Sequence, residues 1–434
     1  MPSRRTKTRT IRVDYRTRAE GEGALHISVR DGQVTEVQLK IFEPPRFFES
    51  FLRGRESREV PDLTARICGI CPVAYQMSTV HAFERLYGVT IDPAVRALRR
   101  LYYCGEWIES HALHIHMLAA PDFLGCESII TLAEKDRPAV ERGLRLRKAG
   151  NAIVTKLGGR SVHPVGACIG GFTRAPKREE LRGLHEQLLQ VRGDAVESVR
   201  WVSRFDLPDI SRDIEFVSLR HPDEYPMNDG RIASSKGIDA AQEEFDDVFE
   251  EHQVSYSNAL HCLVKGRGAY FLGPLARVNL NFERLGPEVT SIARETGIPW
   301  PNSNPYMSIV ARTLEVLYAV DEAIRIIDLY EPPPMPAAEF TARPGIGRAI
   351  TEAPRGSLYH AYESDGQGMV RAARIVPPTS QNQARIEEDL RELVPEILQG
   401  SRAEATRACE TAIRNYDPCI SCSTHFLRLE LDAE

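Results

Sequence analysis

Two Cys-x-x-Cys pairs stand at opposite ends of this chain. Cys68 and Cys71 lie in Arg66-Ile67-Cys68-Gly69-Ile70-Cys71-Pro72, and Cys419 and Cys422 lie in Asp417-Pro418-Cys419-Ile420-Ser421-Cys422-Ser423-Thr424-His425. This spacing lets two thiolates of one tight turn reach one metal, and thiolates select zinc, iron or nickel over magnesium or calcium. Two pairs so far apart predict one four-sulfur site at the centre of the fold. On spacing alone structural zinc leads, with redox disulfides and unrelated thiols as alternatives. The long intervening sequence weakens the zinc reading. A zinc ribbon closes a small loop that cannot fold without its metal, whereas 434 residues, 42% of them hydrophobic, can bury a core of their own.

The net charge of −6 leaves no global basic field, which excludes a nucleic-acid partner of the usual kind. No apolar run approaches the length of a membrane span. Residues 1–10 are basic and polar, and Arg4-Arg5 lacks the apolar stretch that a twin-arginine signal needs. They are expected to form a disordered tail on a cytoplasmic protein. Nine cysteines do not make a disulfide scaffold in a chain of this size. Cys104, Cys126, Cys168, Cys262 and Cys409 read as small buried apolar side chains. No further Cys-x-x-Cys cluster is present, so no iron–sulfur cluster is expected in this chain.

Strands are expected between 11 and 42, with Asp31-Gly32 as a hairpin turn. Helical periodicity marks Val73 to Tyr87, 92–118, Lys135 to Leu157, Lys177 to Phe205, Pro305 to Tyr330, and about 383–398 and 402–415. Residues 206–300 read as polar loops, and Glu331-Pro332-Pro333-Pro334-Met335-Pro336 as a stiff linker. The fold class is therefore mainly α with an N-terminal β region. His111 and His114 share a helix face. Without a third ligand in register they read as polar core packing.

The flanks of the cysteine pairs sharpen this reading. R-I-C-G-I-C-P and D-P-C-I-S-C-S-T-H resemble the two signature motifs of the large subunit of [NiFe] hydrogenases, and the resemblance spans the chain from Thr17 to His425. It implies a single domain over 11–425, with a bundle of long helices around a buried nickel–iron centre whose iron carries cyanide and carbon monoxide. By motif position Cys68 and Cys419 would be terminal on nickel, while Cys71 and Cys422 would bridge to iron. The implied reaction is reversible heterolysis of dihydrogen.

The remaining site residues follow the family motifs one by one. Thr17-Arg18-Ala19-Glu20-Gly21-Glu22-Gly23 resembles R-x-E-G-H, with Glu22 where His is common, and makes Glu20 the first proton acceptor beyond Cys419. On composition alone, such a Glu among glycines is a solvated loop residue. Glu49 matches the carboxylate that, with the C-terminal His425, holds a magnesium (or iron) ion. The alternative is an ion pair with Arg53 or Arg55. Glu352-Ala353-Pro354-Arg355-Gly356 resembles E-A-P-R-G, which places Arg355 and Pro354 over the metal pair. Pro377-Pro378-Thr379-Ser380 resembles the family element whose hydroxyl donates to a cyanide, so Thr379 is the candidate. Gly158-Gly159-Arg160-Ser161-Val162-His163-Pro164 matches the G-G-R-x-x-H-P turn, where His163 reads as structural. Ser110 stands where many members have Asp. Tyr75-Gln76 resembles the cytoplasmic, multi-subunit, nicotinamide-linked branch. The resemblance also implies partners: a small subunit with iron–sulfur clusters, a flavin/NAD(P)-reducing subunit pair, and a maturation protease that removes 426–434. Two other classes share some features. A quinone-site subunit of respiratory complex I has this fold without the cysteines, and a zinc-stapled scaffold would have no catalysis.

Overall fold

Pro72 follows Cys71 directly, and a helix starts there. The computed structural model describes residues 8–15, 21, 23–30, 33–41, 46–397 and 401–420. Glu20, Glu22, Cys422, His425, the Asp31-Gly32 turn, most of the basic tail and the 426–434 extension lie outside the described residues.

At the N-terminal side, β1 (Thr8–Tyr15), β2 (Gly23–Arg30) and β3 (Gln33–Ile41) form an antiparallel meander, as expected. Ile27 pairs with Val37, and alternate β2 residues Leu25, Ile27 and Val29 are buried, which is the period-two pattern of a half-covered sheet. The short helix α1 (Arg46–Phe51) follows.

Long helices make the body. Helix α2 (Pro72–Tyr87) has Pro at its first turn and ends at Gly88, whose φ of 67° only glycine adopts at little cost. Helix α3 (Pro93–Leu113) is capped by Asp92, which accepts from Ala94 N at 2.7 Å, and continues as a π-helical turn over His114–Ala119. Helix α4 (Arg137–Gly158) is capped by Asp136 and stopped at Gly159 in the left-handed region. Three glycines let α3 and α4 cross closely. A Cβ on Gly150 would stand 2.6 Å from both Glu109 N and Gly105 O, and one on Gly143 would stand 2.5 Å from His116 Cβ. Helices α5 (Arg178–Val202), α6 (Pro274–Asn281) and α7 (Ser308–Leu329) complete this layer, and α7 is buried along most of its length.

The C-terminal third holds a feature absent from the sequence reading. Strands β4 (Gly345–Ala353), β5 (Gly356–Ser364) and β6 (Val370–Val376) form a second antiparallel meander against α2. Residues 206–300 are also more ordered than polar loops. They carry short strands at Val217–Arg220, Arg231–Ser234, Phe249–Gln253 and Leu260–Val264. The Pro-rich stretch after Leu329 is pinned rather than a free linker, because Phe172 N donates to Pro336 O at 2.9 Å and Ala338 N to Gly170 O at 3.0 Å. Helices α8 (Pro378–Ile397) and α9 (Arg402–Asn415) lead to the second cysteine motif. One apolar core runs from Leu25 in β2 to Ile420, so both ends of the chain are packed into it.

Candidate metal centre

The first cysteine pair sits in the turn that opens α2. Cys68 Sγ accepts from Ile70 N and Cys71 N, each at 3.3 Å, a geometry that favours a thiolate. The free end of α2 is closed by Glu106 of α3, which accepts from Val73 N at 2.6 Å and Ala74 N at 3.1 Å. The turn is exposed at Arg66 and Gly69 and partly exposed at Ile70.

The second motif arrives after α9. Asp417 has a φ of 55°, and this left-handed kink turns Cys419 inward. Cys419 Sγ lies 3.3 Å from Cys68 Sγ, far beyond the roughly 2 Å of a disulfide. The sulfurs of Cys68, Cys71 and Cys419 lie within 4.8 Å of one another, and all three residues are buried. Three convergent thiolates in an apolar setting form a soft-metal donor set. Thr379 is placed on it directly, since its Oγ1 accepts from Cys419 N at 3.0 Å and so keeps its own proton to donate elsewhere.

Arg355 comes from the β4–β5 turn. It donates from Nε to Asp417 O at 2.7 Å and from Nη2 to Asp417 Oδ1 at 3.1 Å. Its Nη1 is buried and has no partner among the described residues. Burial works against its charge, but Asp417, then Cys419, Cys71 and Cys68, hold the guanidinium firmly protonated. A buried donor with nothing to donate to, beside three sulfurs, fits a bound group that carries acceptors.

Behind Arg355 runs a buried chain of charges that the sequence reading missed. Arg312 of α7 approaches Asp417 Oδ2 at 3.4 Å and His111 Nδ1 at 3.2 Å. His111 Nε2 meets Glu315 Oε2 at 2.9 Å. Arg277 of α6 then donates to Glu315 at 2.7 Å through both Nε and Nη2, and to Glu352 Oε2 at 2.9 Å. It also donates to Pro354 O at 3.0 Å, so Pro354 is fixed through its carbonyl. Burial lowers the His111 pKa to about 4, which keeps the ring neutral. His114 Nε2 donates to Arg414 O at 2.8 Å, so both histidines pack as polar core and neither belongs to a metal set among the described residues. Arg312 and Glu315 carried a signal: two charges three apart in the otherwise apolar run Ser308–Val320.

Glu49 is tied to the second meander. Its Oε1 accepts from Ile375 N of β6 at 2.8 Å. The Arg55 guanidinium lies over the Phe51 ring at 4.6 Å. His163 Nδ1 faces Ala65 O at 2.9 Å, a structural contact that joins the 158–164 turn to the first cysteine motif.

The family profile described as "Nickel-dependent hydrogenase" matches residues 46–142 and 273–425. The chain belongs to the nickel-dependent hydrogenase family. It is 31% identical to the sulfhydrogenase 1 subunit alpha of Pyrococcus furiosus, over 96% of this chain and 98% of that one. It is 27% identical to the NAD-reducing hydrogenase HoxS subunit beta of Cupriavidus necator, over 97% and 95% of the two chains. Among solved structures, a chain of an NAD+-reducing [NiFe]-hydrogenase in the H2-reduced state superposes with a TM-score of 0.89 at 27% identity, covering 96% of this chain and 99% of that one. This hydrogenase subunit is thus an oxidoreductase acting on dihydrogen, and its family implies a nickel–iron site. The mainly helical α+β fold is that of hydrogenase large subunits. No described helix is long and apolar enough to cross a membrane.

Proposed function

We propose that Cys68, Cys71, Cys419 and Cys422 together would hold a nickel–iron centre. The convergence of three of these sulfurs from the two ends of the chain carries the proposal. When bound, the centre supplies the splitting of dihydrogen. The chain supplies the rest. Cys419 Sγ receives the proton and passes it to Glu20, whose carboxylate relays it outward. Arg355, whose buried Nη1 has no partner among the described residues, would offer the bound group a fixed positive charge. Thr379, whose Oγ1 accepts from Cys419 N, would donate its hydroxyl proton to an acceptor on that group, and Pro354 would line the same side. Glu49 and His425 hold magnesium or iron, hard cations served by a carboxylate.

Electrons leave through another chain, because this one has no further cysteine cluster. We assign that role to a small subunit with iron–sulfur clusters. Its natural seat is the surface over Cys68, where exposed Arg66 and Gly69 meet the turn that exposes Val162 at 51% and Val165 at 39%. Electrons then pass to a flavin/NAD(P)-reducing pair in the cytoplasm, a reading supported by the NAD+-reducing relatives. A maturation protease removes 426–434 from the single domain that spans 11–425, and 1–10 is a disordered tail.

Metal analysis and dihydrogen–deuterium exchange on the purified complex test the reading. Nickel with exchange activity is expected, with iron in excess of nickel because the small subunit brings its own clusters. Zinc in place of nickel, or no nickel, overturns it in favour of the zinc-stapled scaffold or the quinone-site relative. Dihydrogen-driven NAD(P)+ reduction checks the electron acceptor.

A further inference from the structure

Three helices of this chain are capped by their own N-cap residue. Asp92 accepts from Ala94 N of α3, Asp136 from Ala139 N of α4, and Ser401 from Glu404 N of α9. Helix α2 differs. Its N-cap residue is Cys71, and the Cys71 side chain makes no capping bond. The N–H groups of this turn are divided between two acceptors. Those of Ile70 and Cys71 point at Cys68 Sγ, each at 3.3 Å. Pro72 has none to give. Those of Val73 and Ala74 go to the Glu106 carboxylate of α3, at 2.6 Å and 3.1 Å. Glu106 is 1% exposed, so these two N–H groups are paired from within the core. The cysteine that would ordinarily cap α2 is therefore relieved of that task by a residue of another helix.

Helix α3 is a firm place to hold α2 from. Gly105, next to Glu106, lies against α4, where a Cβ would stand 2.9 Å from Ile153 Cβ and 3.1 Å from Gly150 O. The same helix also bonds to the other two segments of the site. Trp107 Nε1 donates to Glu352 O at 3.0 Å, just ahead of Pro354 and Arg355. His114 Nε2 donates to Arg414 O at 2.8 Å, just ahead of Asp417. One helix thus spaces the first cysteine motif, the Arg355 turn and the second cysteine motif against one another. Its hold on the first motif runs through Glu106, whose donors Val73 and Ala74 follow Cys71-Pro72 directly.

We propose that Glu106 is a positioning residue of this hydrogenase. By holding Val73 N and Ala74 N, it fixes where Cys68 and Cys71 stand relative to Cys419. It touches no reacting atom and acts through the backbone of α2. A buried N–H left without an acceptor is costly, so the first turn of α2 must shift to find a new partner when the carboxylate is lost. That shift carries Cys71 with it, together with the two N–H groups that face Cys68 Sγ. The inference rests on the cysteine assignment above.

The test uses the assembled complex, with nickel per chain and the g-values of its nickel electron paramagnetic resonance as readouts. E106L removes both acceptor oxygens at similar volume. Its nickel content is expected to fall, in line with the ~10–100-fold loss of metal affinity when a residue that supports a ligand is removed. E106Q restores one acceptor oxygen, while its amide nitrogen faces Ala74 N. It should regain nickel, with g-values displaced from those of wild type. A residue that only stabilises the fold would leave the g-values unmoved. Should E106L fail to fold, E106Q carries the test. Wild-type nickel content in E106L, a nickel-free E106Q complex, or wild-type g-values in E106Q overturns the proposal. A wild-type complex without nickel would instead overturn the cysteine assignment.

Discussion

Glu315 and Glu109 are both buried glutamates on helices that flank the thiolates, yet they sit at opposite ends of the carboxylate range. Burial raises both. At Glu315 the charge and paired hydrogen bonds of Arg277, with His111 beside it, overcome burial and lower the carboxyl to about 2. At Glu109 the nearest cation, Arg147 of α4, stands at 3.8 Å and is half in water, so burial prevails. The difference separates two uses of buried charge. A network whose charges meet opposite charges fixes geometry, and here it holds Asp417, Arg355 and Pro354 in place. Groups left short of partners, such as Arg355 Nη1 and the Glu109 carboxyl, are those that can act on something else.

The sharpest break of that contrast is at the thiolates. Cys419→Ser should abolish dihydrogen–deuterium exchange, because oxygen is a poorer soft-metal ligand. Exchange retained with nickel bound would remove Cys419 from the proposed role.

Next comes the paired network. Arg277→Leu strands Glu315 and Glu352, both fully buried. Removing one member of a buried pair costs about 3–5 kcal/mol, and chemical unfolding should show at least that. A loss below about 1 kcal/mol would mean that the network does not fix the site.

The two glutamates should also differ in how stability follows pH. The folded state holds the Glu109 proton up to about 7, while an ordinary Glu releases it at 4.5. Between those values the folded form binds more protons than the unfolded form, so this group makes stability fall as pH rises. Glu315 has the opposite sign. Its contribution is complete above 4.5 and is lost as pH falls towards 2. Glu109→Gln should therefore gain on wild type between pH 4.5 and 7, by roughly 2–3 kcal/mol at the upper end. A pH-independent difference would place Glu109 among ordinary carboxylates.

Much of the site was legible because its chemistry is local. Each cysteine pair is a contiguous motif, and Thr379 and Arg355 lie in short elements that hydrogen-bond to the second motif, while Pro354 is tied to Arg277 through its carbonyl. The paired network was not legible. Arg277 meets Glu315 and Glu352, which are far from it in sequence and joined by no common period. The second meander was missed for a related reason. Its strands are buried on both faces over 349–353 and 356–360, with Glu352, Arg355 and His360 inside, so the alternation that betrayed β2 is absent. Glu106 and Glu109 did leave a trace, as two charges three apart in the apolar run from Tyr102 to Ile108 and beyond.

The smallest expected effect tests the helix crossing that spaces Glu109 from Arg147, and it pits two helical glycines against each other. Replacing Gly by Ala inside a helix gains about 1 kcal/mol when space is free. Gly193 of α5 has no atom within 4 Å of its would-be Cβ, so Gly193→Ala should stabilise by that amount. At Gly150 of α4 the same Cβ would meet backbone, Glu109 N and Gly105 O, at 2.6 Å. Backbone cannot swing aside as a side-chain end can, so the helices must part, and overpacking of this kind costs about 1–3 kcal/mol. That outweighs the gain in propensity. Gly150→Ala should therefore destabilise by up to about 2 kcal/mol net of the propensity gain. Thermal unfolding of both variants decides it. A Gly150→Ala protein as stable as Gly193→Ala would mean that α3 and α4 are not in close contact there.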